Sequence, residues 1–525
     1  STAPNGRMLR EAGALAAAAL AGALVTAFVL SLSTPLDIGA KFSAGEGGGV
    51  GASWASNGLS ESSSGSLFRA VRSRTYQGPR LFSGASPSPT KSKAMSRLPL
   101  PKGRSCKNWA VTTTIFPPTK TVNQISALAD WCLVIAGDKK TPKVYNVSGS
   151  AIYLSPEDQK KLNFKTSGLL RWNHFGRKNL GFLYAIQHGA RWVYDTDDDN
   201  ELQRPDVGIP LPRLSAMVAE VSSSHPVYNL YPSLSTVKSS WPRGFPLDSI
   251  KDNWSTSAAV RRRAWYTRHV GVIQSLADHD PDVDGIYRLT QPLPFEFPAA
   301  GGSNDDRYGG SKQQSRRSEP GAASRSKAKA EELGLITLRA GTMMPYNAQA
   351  TLHAYHALWG LLLPITVHGR VTDIWRAYFT QRLLWDLGSR IAFSTPWVTQ
   401  FRNAHNYLAD FNSELPLYQQ SGSLVELLLK WRPTSTSIAG RLEELYILMY
   451  EVAVGTAPEE RKHSTMQRCI RHCIPVWDLS PEPTSTVYQV NVIGMADVQL
   501  VQAWIDDLIS VGYEFPPLSP THFGS

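Results

Sequence analysis

At 525 residues, 42% hydrophobic and 10% aromatic, the chain can hold two or three ordinary domains, or one large domain with tails. The formal net charge of +11 would suit a nucleic acid or an anionic surface. Much of the excess, however, falls in residues 69–104 and 307–329, which lack apolar periodicity, and no nucleic-acid module pattern occurs, so no nucleic-acid partner is expected.

Ala12 to Leu32 is apolar and uncharged. About 20 such residues span a bilayer as a helix. Arg7 and Arg10 precede the run and the next basic residue is Lys41, so the positive-inside rule makes 1–11 a cytosolic tail and 12–32 a transmembrane signal anchor of type II. A cleaved signal peptide usually has a shorter apolar run, and the unbroken run argues against a transit peptide. Residues 33–105 are rich in Ser, Gly and Pro and cannot bury enough surface to offset their ordering entropy; they read as a disordered stem.

Folding starts near Cys106. Asn108 to Phe116 is a β-branched run stopped by Pro117-Pro118, and Thr121 can cap a helix through Ala129. Trp131 to Ala136 reads as a second strand and Ala151 to Leu154 as a third, with a helix start at Ser155-Pro-Glu-Asp. This alternation predicts a mainly parallel, Rossmann-like sheet. Neither G-x-G-x-x-G nor G-x-x-x-x-G-K-[ST] is present, which argues against a dinucleotide or P-loop enzyme.

The most informative stretch is GRKNLGFLYAIQHGARWVYDTDDDN, residues 176–200. It reads as a helix with Arg177 and Lys178 in its first turn, a stop at Gly189, a buried strand, then Asp195, Asp197, Asp198 and Asp199. Four carboxylates in five positions need solvent or a cation. Hard oxygen ligands suit Mg²⁺ or Mn²⁺ bridged to substrate phosphates, and the carboxyl end of a strand is where open α/β sheets bind ligands. The pattern therefore points to a D-x-D metal–diphosphate site. An acidic solvated turn is the plain alternative.

Farther on, 228–232 and 241–246 read as loops over a site, 270–277 as a helix, and 286–289 as a short strand. Residues 299–330 read as a disordered insertion within one domain. Asp373 to Trp385 reads as an amphipathic helix with Asp373 in its first turn; 423–431, 438–454 and 498–511 read as further helices. Four cysteines (106, 132, 469, 473) fit a lumenal protein with one or two disulfides whose pairing is not readable. Sequons occur at Asn146 and Asn253.

The 176–200 stretch resembles the STELLO proteins of plants, Golgi membrane glycosyltransferase-like proteins. So do WAVTTTIFPPT near residue 109, AGDKKTP near 136, SSWPRGFPLDSI near 239, VIQSLADHDPDVDGIYRLT near 272, the long motif from Gly341 to Gly388 and the closing AWIDDLISVGYEFPPL. The likeness covers roughly residues 106 to 517. A more distant one is to the reversibly glycosylated polypeptides, the UDP-arabinopyranose mutases. The plant proteins continue into a second large domain beyond the point where this sequence stops. The 299–330 insertion is particular to this chain.

The resemblance implies an α/β fold of GT-A type over 106–525 with helical C-terminal additions, a single-pass Golgi membrane anchor with the domain in the lumen, and a UDP-sugar donor, UDP-glucose being one candidate. The acceptor would be a glycan or a protein. In plants the family is linked to assembly of cellulose synthase complexes, which makes a non-catalytic Golgi scaffold the rival reading. By position, Asp195, Asp197 and Asp198 match the family's Asp-x-Asp-Asp, Arg243 its Trp-Pro-Arg-Gly-Phe-Pro, and Asp373 its aspartate before the long helix. In the transferase reading Mn²⁺ or Mg²⁺ sits on Asp197 and Asp199 or on Asp195 and Asp197. Arg177 and Lys178 hold phosphate, while Thr113, Thr114 and Asp138 lie near the nucleoside. Asp373 is the candidate general base. In a mutase reading Arg243 carries the sugar transiently.

Overall fold

The computed structural model describes residues 106–147, 149–252, 258–259, 265–298, 334–402, 406–455 and 492–520. The tail, the anchor at 12–32, the stem, the 299–330 insertion, Cys469, Cys473 and Asn253 lie outside the described residues. Among the described residues no helix is long and apolar enough to cross a membrane.

One half of the sheet is parallel. Strands β1 (Asn108–Thr114), β2 (Trp131–Gly137), β3 (Ala151–Leu154) and β4 (Trp192–Thr196) lie in the order β3-β2-β1-β4. All seven residues of β2 are buried, which explains its unbroken apolar run. Helix α1 (Lys120–Ser126) joins β1 to β2 and is capped by Thr119, two residues before the expected cap; its hydroxyl accepts from the Val122 amide. Ser155 caps α2 (Pro156–Lys161) as expected. Helix α3 (Lys178–Gln187) is buried along its whole length. It lies so close to the sheet that a Cβ on Gly181 would sit 2.6 Å from Val111 Cγ1. The chain then turns at Gly189, φ +85°. The disulfide left open in the sequence joins Cys106 to Cys132, tying the entry of β1 to β2.

The other half is mixed. Strands β5 (Asn200–Leu202), β6 (Met217–Ser223), β9 (Val270–His279), β10 (Ile336–Leu338), β11 (Ala350–Ala354) and β12 (Arg390–Gln400) continue the sheet, with short edges β7 (Ala258–Ala259) and β8 (Trp265–Tyr266). β11 is antiparallel between β4 and β9, and β9 is parallel to β12.

Two element assignments are corrected. Residues 270–277 are strand, not helix: a fully buried apolar run fits either state, and pairing with both β11 and β12 decides it. Residues 286–289 belong to α4 (Gly285–Thr290), started by Asp284, whose side chain accepts from the Tyr287 amide.

The long helix α5 (Gly369–Asp386) also departs from expectation. Every residue from 371 to 386 is buried, so it is central rather than amphipathic, and Asp373 lies beyond its first turn. Its polar residues are paired inside: Arg382 on Asp386 at 3.0 Å, and Arg441 on the same carboxylate at 2.8 Å. Helices α6 (Tyr407–Ser413), α7 (Leu415–Lys430), α8 (Ile438–Gly455) and α9 (Met495–Ser510) follow.

Gly244 shows how tightly α5 is set. It has φ +80°, and a Cβ there would lie 2.4 Å from Ile374 Cγ2. Gly244→Ala is expected to cost about 2–5 kcal/mol, from left-handed backbone strain of about 1–2 and overpacking of about 1–3. A urea midpoint unchanged from wild type would contradict this packing.

Candidate active site

The topological switch lies between β1 and β4, with β2 on the other side of β1. Their carboxyl ends open into a cavity of about 360 Å³ lined by Thr113 and Thr114 from β1, Asp138 after β2, Asp197, Asp198 and Asp199 after β4, and Lys140, Asn173, His174 and Phe175. That volume is in the range of small-ligand sites, about 300–1,000 Å³.

The threonines knit the strand ends together. Thr113 Oγ1 donates to the Ala136 carbonyl at 2.7 Å, and Thr114 Oγ1 donates to the Asp198 carboxylate. Thr119 Oγ1 donates to the Asp198 carbonyl at 2.6 Å. Asp138 is buried and accepts from the amides of Lys139, Asn173 and His174 at 2.7, 2.7 and 3.1 Å, so it shapes the 173–174 wall of the cavity. Asn173 has φ +54°, and His174 Nδ1 accepts from the Gly176 amide.

The four aspartates divide into two kinds. Asp195 is fully buried, 2.6 Å from Lys178 Nζ and 2.6 Å from Arg376 Nη1. Two cations on one carboxylate leave it no charge to offer a metal. Asp197, Asp198 and Asp199 stand at the mouth, partly exposed. Lys178 reaches Asp197 at 3.2 Å, and Asp199 accepts from Asn200 at 3.0 Å and from Gln400 at 3.4 Å. Burial pushes the Asp197 pKa up to about 7, with Asp199, Asp195 and Asp198 adding repulsion against the pull of Lys178. Burial and Asp198 push Asp199 up to about 6. Asp198 is also raised by burial, with Thr114 opposing.

This donor set fits a hard divalent ion. Among the described residues no three His, Cys, Asp or Glu side chains form a preassembled cage. Mg²⁺ and Mn²⁺ commonly take one or two carboxylates and complete their shell with phosphates and water.

The remaining sequence-derived residues lie off the cavity. Arg177 is buried, stacks on Trp172 at 3.7 Å and spends its guanidinium on Gln159 and the Leu170 carbonyl, so its role here is packing. Arg243 lies between two carboxylates. Nε and Nη2 donate to Asp282 at 2.9 Å each, Nη2 and Nη1 to Asp373 at 2.8 and 3.1 Å, and Nη1 also to the Arg370 carbonyl. Burial works against ionisation of Asp282, but Arg243 outweighs it and holds the pKa down to about 2. Asp373 also accepts from the Ala348 amide at 3.2 Å. Neither Arg243 nor Asp373 presents a free atom toward the acidic mouth.

Sequence reasoning missed Arg376, Asp282 and the 173–175 wall. Arg376 follows Asp373 by three positions, one helical turn, which was its only local signal.

Residues 370–457 match the family model described as STELLO glycosyltransferases. Two proteins of Arabidopsis thaliana, described as probable glycosyltransferases STELLO2 and STELLO1, are each 27% identical over 427 and 426 residues. These alignments cover 78% of this chain and 46% and 45% of the relatives, so the chain spans about half the length of the curated relatives it matches.

The two kinds of aspartate predict opposite mutational signs. Asp197 ionises in the unfolded chain near pH 4 but in the folded one near 7. Its contribution therefore falls as pH rises from about 4 to about 7 and stays low above that. With its side chain 30% exposed the effect is discounted to about 1 kcal/mol, about 2–4 °C in Tm. Asp197→Asn should melt higher than wild type at pH 8, while Lys178→Met, which strips a cation from Asp195, should lose about 3–5 kcal/mol. Melting curves in which Asp197→Asn is the destabilised variant would contradict the division.

Proposed function

We propose that this STELLO-type chain is a metal-dependent glycosyltransferase of GT-A fold that takes a UDP-sugar and passes the sugar to a glycan or protein acceptor. The observation that carries the reading is one cavity uniting the ends of β1, β2 and β4, lined by Thr113, Thr114 and Asp138 together with Asp197 to Asp199.

In this reading the nucleoside lies along the threonine–Asp138 wall. Asp197 and Asp199 hold Mn²⁺ or Mg²⁺, which when bound supplies Lewis-acid stabilisation for the charge on the departing diphosphate. Lys178 keeps Asp197 oriented, and Lys140 stands exposed on the rim within reach of a phosphate. The 173–175 wall, braced by Asp138, narrows the cavity around the ligand. UDP-glucose remains the donor to test first.

The proposed site of action is the Golgi lumen, with residues 12–32 as the membrane anchor. The Cys106–Cys132 disulfide fits an oxidising compartment, and Asn146 of the first sequon is exposed. The saturated Arg243–Asp373 pair favours a second reading, a nucleotide-binding scaffold without turnover that aids cellulose synthase complexes, because it leaves no free base at Asp373. The same saturation weighs against Arg243 as a sugar carrier.

Calorimetric titration with UDP and with GDP, each with and without Mn²⁺, tests the reading. UDP is expected to bind only with Mn²⁺, and Asp197→Ala with Asp199→Ala to weaken it more than about 100-fold. A folded protein that binds neither nucleotide would rule out the transferase. Binding without release of sugar from any UDP-sugar would favour the scaffold.

A further inference from the structure

The acidic loop has a second side. Asp198 is held by Thr114, whereas Asp199, which lines the same cavity, also reaches the end of β12: Gln400 donates to its carboxylate, and the Phe401 amide donates to its carbonyl at 3.4 Å. The next residue, Arg402, has a side chain only 8% exposed. Its Nε and Nη1 are buried and make no hydrogen bond among the described residues. Its Nη2 lies 3.9 Å from Asp410, beyond hydrogen-bonding distance.

Two other guanidiniums share the neighbourhood, and each has a close carboxylate. Arg288 sits 2.6 Å from Asp280, and Arg370 is paired with Glu414. Arg402 alone of the three has no carboxylate closer than the loose Asp410 contact, with Asp282, Asp280 and Asp199 acting on it from farther away. Burial, together with Arg288 and Arg370, lowers its pKa to about 10. A buried guanidinium with idle donors is costly, and native structures rarely leave one without a purpose.

Beside it lies an open aromatic ledge. Phe401 is 51% exposed with its ring 5.1 Å from that of His279, and Tyr407 is 40% exposed. The exposed face of an aromatic ring suits the apolar face of a pyranose.

We infer that Arg402 and the Phe401–His279 ledge form the acceptor subsite, and that it selects a glycan whose sugar carries a carboxylate, a uronate. The ring stacks on Phe401 and the carboxylate takes the guanidinium in place of the loose Asp410 contact; the fork of an arginine matches a carboxylate in two parallel bonds. The inference rests on the donor reading above for the direction of transfer.

The test holds the protein with UDP and Mn²⁺ and titrates a trigalacturonate, a neutral trisaccharide and glucose 6-phosphate by calorimetry. The variants are Arg402→Gln, Arg402→Lys and Phe401→Ala. Wild type should prefer the uronate over the neutral sugar by at least about tenfold. Arg402→Gln should abolish that preference while UDP binding stays unchanged, and Phe401→Ala should weaken both sugars. Should the glutamine variant fail to fold, the lysine variant, which keeps the charge and loses the fork, should still lose most of the preference.

Equal affinity for uronate and neutral sugar, or a preference that survives loss of Arg402, would overturn the inference. So would a stronger preference for the sugar phosphate. A fall in UDP affinity in the Arg402 variants would reassign Arg402 to the diphosphate. Saccharide binding that fails while UDP binds overturns the acceptor subsite alone; failure of UDP to bind wild type overturns the donor reading.

Discussion

A carboxylate at the end of a central strand, fully removed from water, is the constraint on which the rest of the site depends. Asp195 survives there because Lys178 and Arg376 reach it from two helices, each at 2.6 Å. Losing one partner of such a buried pair costs about 3–5 kcal/mol, a large share of the stability of a whole domain. The pairing therefore locks α3 and α5 onto β4 in one geometry. Both cations are spent in doing so. Asp197, Asp198 and Asp199 are left at the mouth with only the farther contact of Lys178 and a few hydrogen bonds to offset their mutual repulsion.

That imbalance is what turns an acidic cluster into a site. A fold optimised only for stability would not keep Asp197 and Asp199 with pKa values near 7 and 6 at a half-buried position. The neighbouring network has the opposite character. Arg243, Asp282 and Asp373 satisfy one another, and Asn347 Nδ2 adds a 3.0 Å bond to Asp282. They anchor α5 and the Trp241–Pro246 loop, and their ledger is closed.

Much of this was legible before the structure. The parallel half of the sheet followed from β-branched runs broken by Pro117-Pro118 and Gly189, and the aspartates were placed at a strand end because α/β sheets bind ligands there. The division among the aspartates was not legible. It depends on Arg376 meeting Asp195 across 181 residues, a pairing no local pattern encodes. The strand at 270–279 was missed for a related reason: buried on both faces, it shows neither a period of two nor one of 3.6. Asp373 looked like a reacting group because a lone aspartate early in a helix has the same sequence whether its partner is a substrate or Arg243.

The most direct measurement is a crystal structure of the protein with UDP and Mn²⁺ bound. The account predicts the ion on Asp197 and Asp199, uridine against Thr113, Thr114 and Asp138, and Asp195 still held by Lys178 and Arg376. An ion coordinated by Asp195, or a nucleotide seated away from the ends of β1 and β2, would contradict it.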